Sequence, residues 1–225
     1  MSVTVLVMTD GRLGCLGRAL SSLSFLSGGP IVRRVLHDDS GDDDYRRILA
    51  DSYGSTGWEV IGAGPRRGFA GAYRHAYDWL IAHDTAPWVW STEDDFVHTR
   101  PVDLDAIVAV MGRHSHLTQM ALRRQPWNDI ERAAGGIVES RPREYADCRD
   151  GDGQWLEHRL FHTTNPSLVP RRVIVEHPWP TVPHSEGVFS AGLFADRRAR
   201  AAYWGARESG EWVRHIGKTR AGHGY

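Results

Sequence analysis

Short apolar runs alternate with segments of helical periodicity along the first hundred residues. Residues 3–8 (VTVLVM) are apolar and β-branched and predict a strand, which Thr9-Asp10-Gly11 breaks. Leu13, Leu16, Leu20, Leu23 and Leu26 then recur at helical spacing. They predict a helix over 13–26 with one apolar face, ended by Gly28-Gly29-Pro30. The alternation continues with a strand over 31–36, a helix over 45–53, a strand over 58–61, a helix over 68–83 and a strand over 88–91. The later chain is less regular. It predicts a helix over 103–113 capped by Asp103, strands over 117–122 and 155–163, a short helix over 170–176 begun by proline, and a helix over 185–195. Residues 201–204 and 212–215 are two short apolar runs close in sequence and read as a hairpin. Strands that alternate with helices predict an α/β fold with a mostly parallel central sheet and helices on both faces. No repeat or linker divides the chain, so a single domain over 1–225 is expected.

Sheets of this kind bind ligands at the carboxyl ends of their strands. The polar groups that leave the predicted strands there are Thr9-Asp10, Asp38-Asp39 and Glu93-Asp94-Asp95. The last group follows the apolar run Trp88-Val89-Trp90 directly. Three adjacent acids at the end of a buried strand repel one another and resist burial. A divalent cation carrying phosphate removes that penalty, and hard oxygen ligands suit Mg²⁺ or Mn²⁺.

Composition narrows the function class. The chain has 225 residues, 41% hydrophobic and 24% charged, which suits a globular protein with a sizeable core. Its formal net charge of −1 leaves no footprint for non-specific nucleic-acid binding. Cys15 and Cys148 are the only cysteines and read as free thiols rather than a disulfide framework. Histidine is abundant, with 12 copies, but no HExxH zinc signature appears. The N-terminus lacks a signal-peptide pattern and no segment reads as a membrane span, so a cytoplasmic location with no membrane partner is expected.

The opening VTVLVMTDGR, the loop HDDSGDDD, the stretch GPRRGFAGAYRHAYDWL and the strand end WVWSTEDDF resemble, in that order and spacing, the GT-A glycosyltransferases. The resemblance is to the large inverting family that uses nucleotide-diphosphate sugars. It covers about the first hundred residues well. The second half matches more loosely, through His184-Ser185-Glu186 and Trp212-Val213-Arg214-His215-Ile216-Gly217. The compact length, the LRRQPWN segment and the HIGKTRAGHGY tail are similar to small glycosyltransferases encoded by actinobacterial phages, whose location would be the host cytoplasm.

The resemblance implies a GT-A-like Rossmannoid domain with a nucleotide-binding half over 1–100 and an acceptor half with a C-terminal tail over 101–225. It implies a UDP-sugar donor and Mn²⁺ or Mg²⁺. Thr9 and Asp39 would contact the nucleobase, with Asp39 accepting the imide N–H of a uracil or thymine. Arg67 would approach the nucleotide at the mouth of the following helix, whose positive end favours phosphate. Asp10 and Asp94 belong to the same nucleotide-binding set. Asp95, the last acid of the DxD-like triplet, would bind the metal. Glu93, where the family usually has Asp, would hold the ribose or a metal-bound water. His215 is the C-terminal histidine that would complete the metal site, with His223 as competitor. Lys218 and Arg220 suit a segment that binds diphosphate.

Glycosyl transfer also needs a base for the acceptor hydroxyl. Glu186, at a predicted helix start, takes that role, with Asp196 and Glu176 as fallbacks. The family often has a Glu-Asp pair there, and here Gly187 follows instead. Arg123, Arg124, Gln125, Trp127 and Asn128 leave a central strand and suit a sugar or acceptor pocket. Tyr73 and Tyr77, at i, i+4 spacing, read as a core stripe, and Trp155 and Trp179 as packing. Asp42, Asp43 and Asp44 read as a solvated loop and helix cap. Two rivals stand beside this reading. One is a nucleotide-sugar pyrophosphorylase or other nucleotidyltransferase, against which the single glycine after strand one argues. The other is a nucleotide-sugar-binding module without catalysis. The acceptor is a protein, a small molecule or a modified DNA base, and near-neutral charge favours the first two.

Overall fold

The computed structural model describes residues 2–217. In chain order its strands are β1 Val3–Thr9, β2 Leu26–Ser27, β3 Ile31–Asp38, β4 Trp58–Ile61, β5 Trp88–Glu93, β6 Phe96–His98, β7 Val102–Asp103, β8 Leu117–Ala121, β9 Ala146–Arg149, β10 Gln154–His158, β11 Ser167–Pro170, β12 Arg200–Trp204 and β13 Val213–His215. The helices are α1 Leu13–Ser22, α2 Asp43–Tyr53, α3 Gly68–His83, α4 Leu104–Arg113, α5 Asp129–Ala134, α6 Ile137–Ser140, α7 Arg171–Glu176 and α8 Ser185–Leu193. Asp42 caps α2 by accepting from the N–H groups of Asp44 and Tyr45, and Asp103 caps α4 through Ala106, as their sequence positions predict.

A nine-stranded sheet in the order β4-β3-β1-β5-β11-β8-β12-β10-β9 forms the centre. β4, β3, β1 and β5 are parallel neighbours. β11 is antiparallel to both β5 and β8, which returns β8 to the direction of β5, and β12 runs parallel to β8. β10 then opposes β12, and β9 opposes β10. The sheet is therefore mostly parallel with antiparallel strands in its second half. A central strand covered on both faces must be apolar on both, and β1 shows why its sequence is a continuous run. Val3, Val5 and Val7 pack toward Leu16, Leu49 and Ile107, whereas Leu6 and Met8 pack toward Tyr73, Leu80 and Trp179. The first set lies with α1, α2 and α4 and the second with α3, α7 and α8, so helices cover both faces.

Several expectations need correction in the second half and at element ends. The helix over 13–26 stops at Ser22, continues as a 3₁₀ turn over Leu23–Phe25 and gives way to β2. The strand over 155–163 is only β10, Gln154–His158. The helix begun at Pro170 hides a strand, β11, of which Pro170 is the last residue. The hairpin does not form. β12 joins the central sheet between β8 and β10, and β13 pairs antiparallel with β6, opposing His215 to Phe96. No helix among the described residues is long and apolar enough to cross a membrane.

One glycine brings the early loops together. Gly62, with φ of 104°, follows β4, and a Cβ there would stand 2.1 Å from the carbonyl oxygen of Asp38. Only glycine allows the loop over 62–67 to lie against the end of β3, where Asp38 and Asp39 leave the sheet.

Candidate active site

The strand-end acids converge in one cleft. Asp94 N donates to the Met8 carbonyl (2.9 Å) and Asp39 N to the Thr9 carbonyl (2.8 Å), so β1 places both neighbouring loops. Asp39 is buried, and its Oδ1 accepts from the backbone N–H of Arg67 at 2.8 Å. Burial raises its carboxyl above the usual range, against the pull of the Arg67 and Gly68 N–H groups. The Arg67 guanidinium donates to the carbonyls of Gly62 (3.3 Å) and Ala63 (2.8 Å) and so holds its own loop. Arg66, its neighbour, reaches across the cleft to Asp10 at 3.0 Å.

The acidic triplet divides into three environments. Glu93, the last residue of β5, is buried and accepts from the Tyr73 hydroxyl at 3.0 Å. Burial, then the charges of Asp95 and Glu186, push its carboxyl well above the ordinary glutamate range. Asp94 accepts from the Thr9 hydroxyl (2.7 Å) and from Arg12, and the Thr9 hydroxyl also meets Tyr45 Oη at 2.7 Å. Burial pushes Asp94 up to about 7 despite the Arg12 charge. Asp95 Oδ2 meets Arg12 Nη1 at 2.7 Å and His215 Nε2 at 3.3 Å. Burial pushes Asp95 up, but the hydrogen bond and charge of His215, with Arg12, hold it below the usual aspartate range.

His215 is placed from a distance in sequence. Its backbone N–H donates to Gln125 Oε1 (2.9 Å) and its carbonyl accepts from Gln125 Nε2 (2.8 Å). Phe96 and Trp127 stand edge-on to its ring, each with centroids 4.7 Å away. The segment expected to line a sugar pocket thus divides its duties. Gln125 fixes His215, and Arg124 and Trp127 line the cavity. Arg123 is buried against the carbonyls of Ala206 and Arg207, and Asn128 caps α5.

A cavity of about 310 Å³ opens beside the triplet. Its lining joins Glu93 and His215 to Glu186, with Trp127, Phe161 and Asn165 among its walls. Glu186 Oε1 accepts from Thr164 N–H at 2.9 Å. Burial raises its carboxyl above the usual range, opposed by the Thr164 hydrogen bonds. The fallbacks lie elsewhere. Asp196 is exposed and pairs with Arg198, and Glu176 is exposed at the end of α7. Lys218, Arg220 and His223 lie outside the described residues.

Sequence reasoning missed Arg12, Arg66, Tyr45 and Thr164 as parts of this site. Arg12 and Arg66 stood inside the motifs TDGR and GPRRG, but nothing in the pattern distinguishes a guanidinium in the cleft from one on the surface. Tyr73 and Tyr77 are a buried core stripe, as expected, and Tyr73 stacks on Trp179 with centroids 4.8 Å apart. Its hydroxyl adds a second task by holding Glu93.

The fit to a divalent cation follows from the donors present. No cluster of three metal-ligating side chains exists among the described residues. Asp95 and His215 are nonetheless in contact, and Asp95 Oδ1 and His215 Nδ1 are buried without a partner. One carboxylate and one imidazole are donors that could hold a divalent cation such as Mn²⁺, with phosphate oxygens and water completing its shell.

No protein-family profile matches the chain, and no curated protein matches it. Solved structures do. TarS 1–349 of S. aureus superposes with a TM-score of 0.65 at 16% identity, covering 96% of this chain and 60% of that one. The same protein in complex with UDP gives 0.63 at 15% identity, over 95% and 60%. GalNAc-T7 with UDP, GalNAc and Mn²⁺ gives 0.70 at 10% identity, over 96% of this chain and 44% of that one. The fold is the GT-A fold of glycosyltransferases. The chain spans about 60% of the length of TarS 1–349 and less than half of GalNAc-T7.

Proposed function

We propose that this chain is a metal-dependent, inverting glycosyltransferase that moves a sugar from a UDP-sugar to an acceptor hydroxyl. The observation that carries the reading is the cavity joining Glu93 and His215 to Glu186, opening where the strand-end acids converge. Binding of UDP by TarS, and of UDP, GalNAc and Mn²⁺ by GalNAc-T7, on the same fold supports the donor and the metal.

The geometry supports the following roles. Asp39, with Oδ1 fixed by Arg67 N–H, offers its second oxygen to the nucleobase at the β3 end of the cleft. Thr9 braces Asp94 by its hydroxyl and the Asp39 loop by its carbonyl. Asp95 and His215 hold the cation, which when bound stabilises negative charge on the leaving diphosphate. Glu93, kept in place by Tyr73, faces the sugar. Glu186 takes the proton of the acceptor hydroxyl, and its raised affinity for protons suits a base working near neutral pH. Residues 1–100 form the nucleotide-binding half, and residues 101–225 the acceptor half and C-terminal tail, with His215 reaching back to Asp95. A protein, a small molecule and a modified DNA base remain the acceptor classes.

A donor-hydrolysis screen across UDP-, GDP- and dTDP-sugars with Mn²⁺ and Mg²⁺ tests the proposal. Metal-dependent release of UDP from one UDP-sugar is expected. Hydrolysis that proceeds equally in EDTA removes the metal from the scheme. Tight UDP-sugar binding without turnover on any acceptor points instead to a binding module.

A further inference from the structure

Arg12 partly offsets the charge of the last two acids of the triplet. Its guanidinium bridges Asp94 and Asp95 and also meets Asp10 at 3.0 Å. It stands at the N-terminal boundary of α1, where the helix dipole disfavours a cation. No helical preference accounts for an arginine there, but the carboxylates do. The pairs extend into a chain along the cleft. Asp39 lies 4.0 Å from Arg66, Arg66 3.0 Å from Asp10, Asp10 3.0 Å from Arg12, Arg12 2.7 Å from Asp95, and Asp95 3.3 Å from His215.

The Asp95 end of this chain is closely covered. A Cβ at Gly217 would stand 2.2 Å from Asp95 Oδ2 and 2.9 Å from Arg12 Nη1, and Ile216 N–H donates to the Asp95 carbonyl at 2.7 Å. Arg12 and Gly217 thus both crowd Asp95 Oδ2. The Arg12 side chain is 25% exposed, which gives it a way out toward the cleft.

We propose that Arg12 is a built-in counter-cation of the Asp94–Asp95 pair, exchanged for the divalent metal and turned onto the donor diphosphate when the nucleotide binds. The inference rests on the metal role proposed above for Asp95 and His215. Its logic is charge balance. A divalent cation and a guanidinium repel, and both need Asp95. A diphosphate offers Arg12 a new bidentate partner, so it removes the competitor of the metal. Metal and nucleotide therefore bind as a coupled pair.

Titration of the full chain with Mn²⁺ alone, followed by electron paramagnetic resonance of the free ion and repeated with saturating UDP, tests this. Arg12→Gln should bind Mn²⁺ at least about tenfold more tightly than the parent without nucleotide, the scale of one charge-assisted hydrogen bond. UDP should tighten Mn²⁺ binding strongly in the parent and less in the variant, with the reciprocal loss in UDP affinity. Arg12→Lys keeps one charge but cannot bridge both carboxylates, and it should fall between the two even if Arg12→Gln folds poorly. Equal or weaker Mn²⁺ binding by both variants overturns the proposal and leaves the metal site standing. Absence of Mn²⁺ binding to the parent at saturating UDP overturns both.

Discussion

Glu186→Gln should lower sugar transfer by at least about 10²-fold while donor binding stays near that of the parent. The substitution keeps the shape of the side chain and its Oε1 bond to Thr164 N–H, but an amide cannot take a proton. The effect should lie in kcat, because the acceptor proton moves as the new bond forms. The pH profile gives a second signature. A base must be ionised to act, and burial raises the Glu186 carboxyl above the usual range. The rate should therefore climb with pH along a limb displaced upward from an ordinary glutamate, and Glu186→Gln should lose that limb. Asp196→Asn serves as control. Its carboxylate is exposed and paired with Arg198, so transfer should be nearly unchanged. Near-parental turnover by Glu186→Gln on the true acceptor would reduce Glu186 to a helix-terminal acid.

Asp95→Asn should abolish metal-assisted donor binding while the protein stays folded. Size is conserved, and the hydrogen bond from His215 can persist to the amide oxygen. The negative charge that offsets the cation is lost, and Arg12 loses one of its three carboxylates. Calorimetric titration with UDP should show the Mn²⁺-dependent increment of affinity disappear in Asp95→Asn. An increment that survives would move the metal to other residues.

The first hundred residues were legible because buried parallel strands carry apolar residues on both faces and stop abruptly at polar ones. Val3–Met8 and Trp88–Trp90 announce themselves in this way, and the acids that follow them fall at the binding end of the sheet by topology. The second half offers no such signal. β9 is a mostly exposed edge strand, Ala-Asp-Cys-Arg, whose apolar face is only Ala146 and Cys148. β11 ends in Pro170, whose ring also reads as a helix start. The runs 201–204 and 212–215 suggested a local hairpin, yet β12 and β13 find partners far away in sequence, in β8, β10 and β6. The position of His215 beside Asp95 depends on that distant pairing and on Gln125. The family resemblance named His215, with His223 as competitor, but the residue pattern alone did not place it beside Asp95. Arg12 marks the same limit, since an arginine in a turn reveals its carboxylate partners only after β1 and β5 are aligned.

The central claim is that the strand-end acids, His215 and the adjoining cavity form a UDP–metal site. Anomalous diffraction at the manganese edge, from crystals grown with UDP and Mn²⁺, tests it most directly. The account predicts a single strong peak within ligand distance of Asp95 and His215, with the uracil beside Asp39 and the diphosphate between them. A nucleotide bound elsewhere, or a manganese peak only at surface acids such as Asp43 and Asp44, would contradict it.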